Sequence, residues 1–421
     1  MILVASATMR RYRAAGSLSE EVRGALASGE ATEIADQWLA AWVRQVLADG
    51  PLPPWPDPGG ASAALPALAV QRAEFHGIGL LLSDHPAPPP PGCPPVVMEA
   101  IRALGRRAAL EEQLQRACIL PLFAAMGAGG IPVMALKGAA LAYLYYDKPA
   151  KRPRGDTDVL VPPEHFPAVH AMLERLGWSR DPGQPHGAVL QETWTTDCGA
   201  GVRHTLDLHR CPSDRPVLQR ILRDDDFWDN AVPLDRLSAH AHAPDRVRML
   251  LHGAVNQAWH EARGFGLGEA RILGGRRLIW AVDYHHLAAH FTPAEWEAMI
   301  ALCHEADAGA IVHRALAGAQ GDIGLALPEG VLAQLLPPGG RSATLDFIRA
   351  NDVLSDAIAD LRASNGMAAR WRLLVKLALP PRAHLVERYP DAAHWPTLAL
   401  QARRLIGAAA RRIGARRAAG A

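Results

Sequence analysis

Apolar residues recur at helical spacing through the first quarter of the chain. Trp38, Leu39, Trp42, Val43 and Val46 follow an i, i+3, i+4 order and predict a helix within residues 17–48. Such a stripe suits either a packed core face or a partner surface, and the packed helix is the simpler reading. A proline-rich break at residues 51–58 precedes a second helical stretch at 62–82, where His76 reads as a core or capping histidine. The run 86–95, proline at most positions, is a loop or polyproline II connector. Residues 96–127 then read as one long amphipathic helix, kinked at Pro121, with Arg102, Arg106, Arg107, Glu111 and Glu112 on its wetter side. Gly127, Gly129 and Gly130 end it.

Beyond that point the period shortens. Residues 131–136 and the run Val159, Leu160, Val161 read as strands, joined to a helix at 164–176 that stops at Gly177. Residues 189–196 and 202–209 flank the turn Cys198-Gly-Ala-Gly201 and predict a β-hairpin. After Arg210 helical patterns return, most clearly at 246–259 and 276–290. The expected fold is therefore α+β: a small mixed-sheet core at 129–212, between helical regions at 1–128 and 213–395, with a basic Ala/Arg-rich tail helix at 396–421.

A net charge of +1 over 421 residues argues against a global field for nucleic acid or membranes. No apolar run approaches a membrane span, and the apolar opening Met1 to Met9 precedes its arginines, the reverse of a secretory signal. Five scattered cysteines, Cys93, Cys118, Cys198, Cys211 and Cys303, lead us to expect a reducing, cytoplasmic setting without a disulfide framework. Cys198, His204, His209 and Cys211 match no zinc spacing. Arg403-Arg404, Arg411-Arg412 and Arg416-Arg417 make a basic stripe on the tail helix, either a solvated face or a contact for an acidic partner.

Chemistry concentrates between Met134 and His209. Asp156 and Asp158 stand two apart at the start of a predicted strand, so both carboxylates share a face. They are either solvated turn residues or ligands of a hard divalent cation, which offsets the repulsion of paired carboxylates. Upstream, Lys137-Gly138 joins a strand to a helix and presents an ammonium and free backbone N–H groups, a phosphate cradle if it is more than an ordinary turn. Downstream, Asp207 shares a strand face with Thr205 and His209, where a lone carboxylate needs a partner.

These segments, Leu-Lys-Gly138, Arg154-Gly-Asp-Thr-Asp158-Val-Leu-Val and Leu-Asp207-Leu-His209, resemble bacterial nucleotidyltransferase-like proteins of the polymerase-β superfamily. The nearest branch carries Leu-Lys-Gly where better-known relatives carry Gly-Ser. The likeness spreads loosely from Glu74 to Leu316, and the motifs occupy only Met134 to His209. It implies a small mixed sheet, a Gly-containing turn that holds the phosphates of an NTP, and Mg²⁺ or Mn²⁺ on Asp156, Asp158 and Asp207. Two departures stand out: Lys137 occupies a position of Gly or Ser, and 17 residues separate Gly138 from Asp156, a longer gap than usual.

The expected activity is transfer of an NMP from an NTP to a hydroxyl of a small-molecule, peptide, protein or RNA acceptor, with release of pyrophosphate. Lys137, Gly138, Arg154 and His209 would meet the nucleotide or the acceptor, and Asp156, Asp158 and Asp207 would act in catalysis. Alternatives on the same residues are an inactive protein that binds a peptide or protein, a metal-dependent phosphohydrolase, and a kinase-like phosphotransferase. The segment from Arg277 to His286 resembles a helical motif of the same family. Its Asp283 either faces the nucleotide or pairs with a neighbouring arginine such as Arg276 or Arg277.

Overall fold

Strands of the central segment, joined by two short ones at 232–233 and 241–243 beyond the expected 129–212 core, build one sheet, and helices of the two flanking regions wrap it. The computed structural model of the chain describes residues 29–56, 64–181, 191–267, 270–272, 275–336, 342–350, 353–364 and 366–378, with scattered positions between 382 and 407. It is mostly helical around a seven-stranded mixed sheet, an α+β fold with helical flanks.

Among the described residues four helices precede the sheet: α1 (Gly29–Leu47), α2 (Leu65–His76), α3 (Gly79–Ser83) and α4 (Pro95–Ala128). The α1 stripe is core, with Trp38, Leu39, Trp42 and Val43 all buried. Full burial of such side chains stabilises by roughly 1.5–3 kcal/mol each. The helical stretch expected at 62–82 holds two helices. Gly77 at φ +71° closes α2 in the left-handed conformation and turns the chain into α3. Pro121 sits inside the continuous α4, which is capped at Gly129.

The strands are β1 (Val133–Ala135), β2 (Asp156–Leu160), β3 (Ser179–Arg180), β4 (Gln191–Asp197), β5 (Arg203–His209), β6 (Val232–Pro233) and β7 (Ala241–Ala243), in the order β3-β4-β5-β2-β1-β7-β6. β4 and β5 form the expected antiparallel hairpin. β2 pairs parallel to β5 and antiparallel to β1. Helix α5 (Lys137–Tyr145) leaves β1 directly, and α6 (Phe166–Arg175) follows β2. On the sheet face away from the carboxylates, the α6 residue His170 reaches the fully buried Glu192 of β4, 2.7 Å away.

After the sheet come α7 (Arg246–Arg263), α8 (Leu278–Ala288), α9 (Pro293–Glu305) and α10 (Gly309–Ile323). Asp245 caps α7 by accepting the Arg248 N–H at 2.8 Å. One hydrophobic cluster runs without interruption from Trp38 of α1 through the sheet to Ile348.

Three expectations are corrected. Glu112 is buried rather than on a wet face, because it accepts from Arg154 and from the Tyr143 hydroxyl. Asp283 pairs with Arg152, not with Arg276 or Arg277. Cys118 of α4 and Cys198 of the hairpin turn are joined as a disulfide with Cα atoms 5.9 Å apart, so the cysteines are not all free. Of the paired arginines, Arg403 bonds Asp391 at 2.7 Å, and those at 411, 412, 416 and 417 lie outside the described residues, as does the opening of the chain. Among the described residues no helix is long and apolar enough to cross a membrane.

Candidate metal and nucleotide site

Strand register assembles the site. Across the parallel pair β2–β5, Asp156 stands opposite Thr205, Asp158 opposite Asp207 and Leu160 opposite His209, and β4 places Thr193 opposite Asp207. Side chains alternate along a strand, so all of these residues share one face.

Asp158 is the hub of the group. Its Oδ1 accepts from Lys137 Nζ at 2.7 Å and lies 2.9 Å from His209 Nε2. Asp207 Oδ1 accepts the Thr193 hydroxyl at 2.7 Å. One ligand atom from each of Asp158, Asp207 and His209 lies within 4.8 Å of the other two, close enough to share an ion. The Nδ1 of His209 is buried without a hydrogen-bond partner among the described residues. Asp156 stands outside this trio, exposed at the mouth of a cleft.

Burial and mutual repulsion drive the carboxylates apart in acidity. Asp156 touches solvent, yet the cleft walls around it and the charges of Asp158 and Asp207 push its pKa up to about 7. Burial and Asp158 raise Asp207 as well. Burial would also raise Asp158, but Lys137 and His209 outweigh it and hold that carboxyl well below the usual range. Lys137 is the reciprocal case: burial opposes its charge, and Asp158, Asp156 and Asp207 together lift its pKa above the ordinary value. The positive partner demanded by paired carboxylates is thus supplied in part by the protein itself.

Lys137 reaches Asp158 from an unusual backbone. Its φ is +50°, in the left-handed region that favours glycine. Beside it, Gly138 lies at the start of α5, where the first N–H groups have no intrahelical acceptor. A Cβ at Gly138 would sit 3.3 Å from the Arg152 guanidinium, so the small residue keeps this corner open.

The site opens into a cleft of about 450 Å³ lined by residues of α2, α4, α7 and the start of α8, so helices of both flanks contribute to it. Lys137, Gly138, Arg154, Asp156 and Asp158 line it. The guanidinium of Arg154, however, is engaged elsewhere: it donates to Glu112 and, at 3.2 Å, to Thr157 Oγ1. Asp283 does not line the cleft. Its oxygens accept from Arg152 Nε at 2.8 and 2.9 Å and from the Tyr146 hydroxyl at 2.7 Å. Cleft residues that the sequence reading did not single out are Asn256 and His260 of α7, and Arg277 and Trp280 at the start of α8. For the last two the family-like segment beginning at Arg277 was the available signal; for Asn256 and His260 nothing in the sequence marked them.

A mixed sheet with acidic residues opposed on neighbouring strands, beside a Lys-Gly helix start and under helical flanks, defines an α+β protein built around a carboxylate site. The chain belongs to the uncharacterised nucleotidyltransferase family, whose model matches residues 63–321. No curated protein matches it.

Proposed function

We propose that this protein transfers a nucleoside monophosphate from an NTP to a hydroxyl-bearing acceptor and releases pyrophosphate. The observation that carries the reading is the opposition of Asp158 and Asp207 across β2 and β5, next to the Lys137-Gly138 start of α5 at the floor of a cleft. The donor set suits a divalent cation: two carboxylates and an imidazole converge, and Asp207, its pKa raised by burial and by the Asp158 charge, has no cation of its own within salt-bridge distance among the described residues. Asp158, Asp207 and His209 would hold Mg²⁺ or Mn²⁺, with Asp156 at the mouth as a further ligand. A bound divalent ion supplies charge neutralisation for the attacking and leaving oxygens of in-line phosphoryl transfer.

The remaining work falls to the chain. The Lys137 ammonium and the free N–H groups at Gly138 bind phosphate oxygens and align the triphosphate. Asp207, one of whose oxygens accepts the Thr193 hydroxyl, takes the proton of the acceptor hydroxyl in this reading. The helical flanks shield the cleft from water, which favours transfer over hydrolysis.

The test is a product assay with each α-³²P-labelled NTP, Mg²⁺ or Mn²⁺ and a cell extract, beside an Asp156→Ala/Asp158→Ala double variant. The reading requires label on an extract component with the wild type alone and pyrophosphate as coproduct. Release of ADP would assign a kinase-like transfer, and nucleotide products without an acceptor would assign a phosphohydrolase. A wild type that moves no label yet binds a peptide or protein would make it an inactive binding protein.

A further inference from the structure

Among the described residues of the cleft, one guanidinium has no carboxylate partner. Arg277, just before α8, lines the same cavity as Lys137 and Asp156. Its Nε donates to the Phe75 carbonyl at 2.6 Å, and among the described residues no carboxylate lies within 4.0 Å of it. The reason is local competition. Asp283, the nearest acidic candidate, gives both oxygens to Arg152.

The surroundings raise the demand for an anion. The guanidinium carbon lies 6.0 Å from the ring centroids of both Phe75 and Trp280, so two of its walls are aromatic and poorly hydrating. Burial, then repulsion from Arg152, pushes its pKa down to about 10 in spite of Asp283 and Asp156. A Cβ at Gly77 would come within 3.0 Å of Arg277 Nη2, so glycine there keeps room for the guanidinium. A planar fork of donors with unmet charge, facing a cavity, is the group that recognises phosphate.

Resting on the nucleotidyl-transfer reading, we propose that Arg277 is a phosphate-binding residue that clamps the polyphosphate tail of the nucleotide in the cleft it shares with Lys137. The fold thereby divides its cations by task. Lys137 meets the phosphates beside the carboxylates, Arg152 and Arg154 hold buried acids of the scaffold, and Arg277 is left for the rest of the polyphosphate.

The test uses the full chain and two probes, inorganic tripolyphosphate and a non-hydrolysable NTP, each titrated calorimetrically with Mn²⁺ present. Arg277→Gln is expected to weaken both about ten- to a hundredfold, and Arg277→Lys less, because the charge returns without the fork. Binding of the corresponding nucleoside and of Mn²⁺ itself, followed by electron paramagnetic resonance, should not change. In wild-type protein, needing no variant to fold, tripolyphosphate should protect Arg277 from phenylglyoxal in mass-spectrometric peptide maps. Unaltered probe affinity in Arg277→Gln, or labelling of Arg277 undiminished by tripolyphosphate, would overturn the assignment and leave nucleotidyl transfer standing. A wild type that binds neither probe would overturn both readings.

Discussion

Replacing Lys137 by alanine and, separately, by glycine isolates the backbone cost of its position. Both variants lose the ammonium that sits 2.7 Å from Asp158, a partner whose side chain is only 7% exposed, so that loss cancels in the comparison. What differs is the residue at φ +50°. A left-handed conformation costs an L-residue with a Cβ roughly 1–2 kcal/mol, and glycine adopts it freely. Glycine also loses more chain entropy on folding, by about 0.4–1 kcal/mol, which works against it. The balance leaves Lys137→Gly more stable than Lys137→Ala by about 1 kcal/mol. Urea unfolding followed by far-UV circular dichroism, with Mg²⁺ chelated, measures the difference. Equal midpoints, or a more stable alanine variant, would refute strain at this residue. Both variants should lose nucleotidyl transfer, because neither restores the cation, and the more stable glycine protein would show that the loss is chemical rather than structural.

Three other perturbations test the frame around the site. Asp283→Asn leaves Arg152 buried without its anion and should cost about 3–5 kcal/mol, whereas an Arg152→Met/Asp283→Leu pair should cost much less; similar losses in the two urea titrations would speak against a desolvated ion pair. His204 and His252 are buried, and burial holds both near a pKa of about 3, with Arg154 adding to the effect at His204 and Lys137 at His252. The unfolded chain takes up those protons below about pH 6.5, so stability should fall from pH 6.5 towards 5 by up to about 1.4 kcal/mol per unit for each group, and a His252→Gln variant should flatten the slope. Reducing the Cys118–Cys198 link, which spans 80 residues, should lower stability by about 4.5 kcal/mol on the chain-entropy account, and a non-reduced peptide map lacking the linked pair would refute the bond.

The sheet was legible because its signals are local. Val159 and Leu160, and the alternation of Leu206 and Leu208 with Asp207, carry period two in a few residues, and the glycines of the 198–201 turn mark where the hairpin folds back. The same alternation set Asp156 and Asp158 on one face and aligned Asp207 with His209. The errors concern partners remote in sequence. Glu112 looked wet by helical periodicity, and its burial depends on Arg154, 42 residues away. Asp283 was left between the nucleotide and a neighbouring arginine, and its partner Arg152 lies 131 residues back. Cys118 and Cys198 meet through the packing of α4 beside the hairpin, which no spacing rule encodes. Backbone dihedrals are equally hidden: the oddity of Lys137 in a position of Gly or Ser was visible, but its left-handed conformation was not.

The distribution of paired and unpaired charge gives the cleft its meaning. Burying an ion without a partner is costly, so a protein under selection for stability alone would pair or remove such groups. Most buried charges of this chain are paired: Arg152 meets Asp283, Arg154 meets Glu112 and Arg263 meets Asp356. Three groups at the site are exceptions. Asp156 and Asp207 have no Lys or Arg within salt-bridge distance among the described residues, and Arg277 has no carboxylate. The leftover charges are two carboxylates near Asp158 and one guanidinium lining the same cleft, a pattern that would complement a divalent cation carrying a polyphosphate under the proposed reading. A scaffold retained only for protein binding has no need of that pattern, and neutralising the three groups together should then stabilise it. In an enzyme the same triple substitution would trade the ligand for stability, so a rise in unfolding midpoint together with loss of metal–nucleotide binding is the outcome that this charge pattern demands.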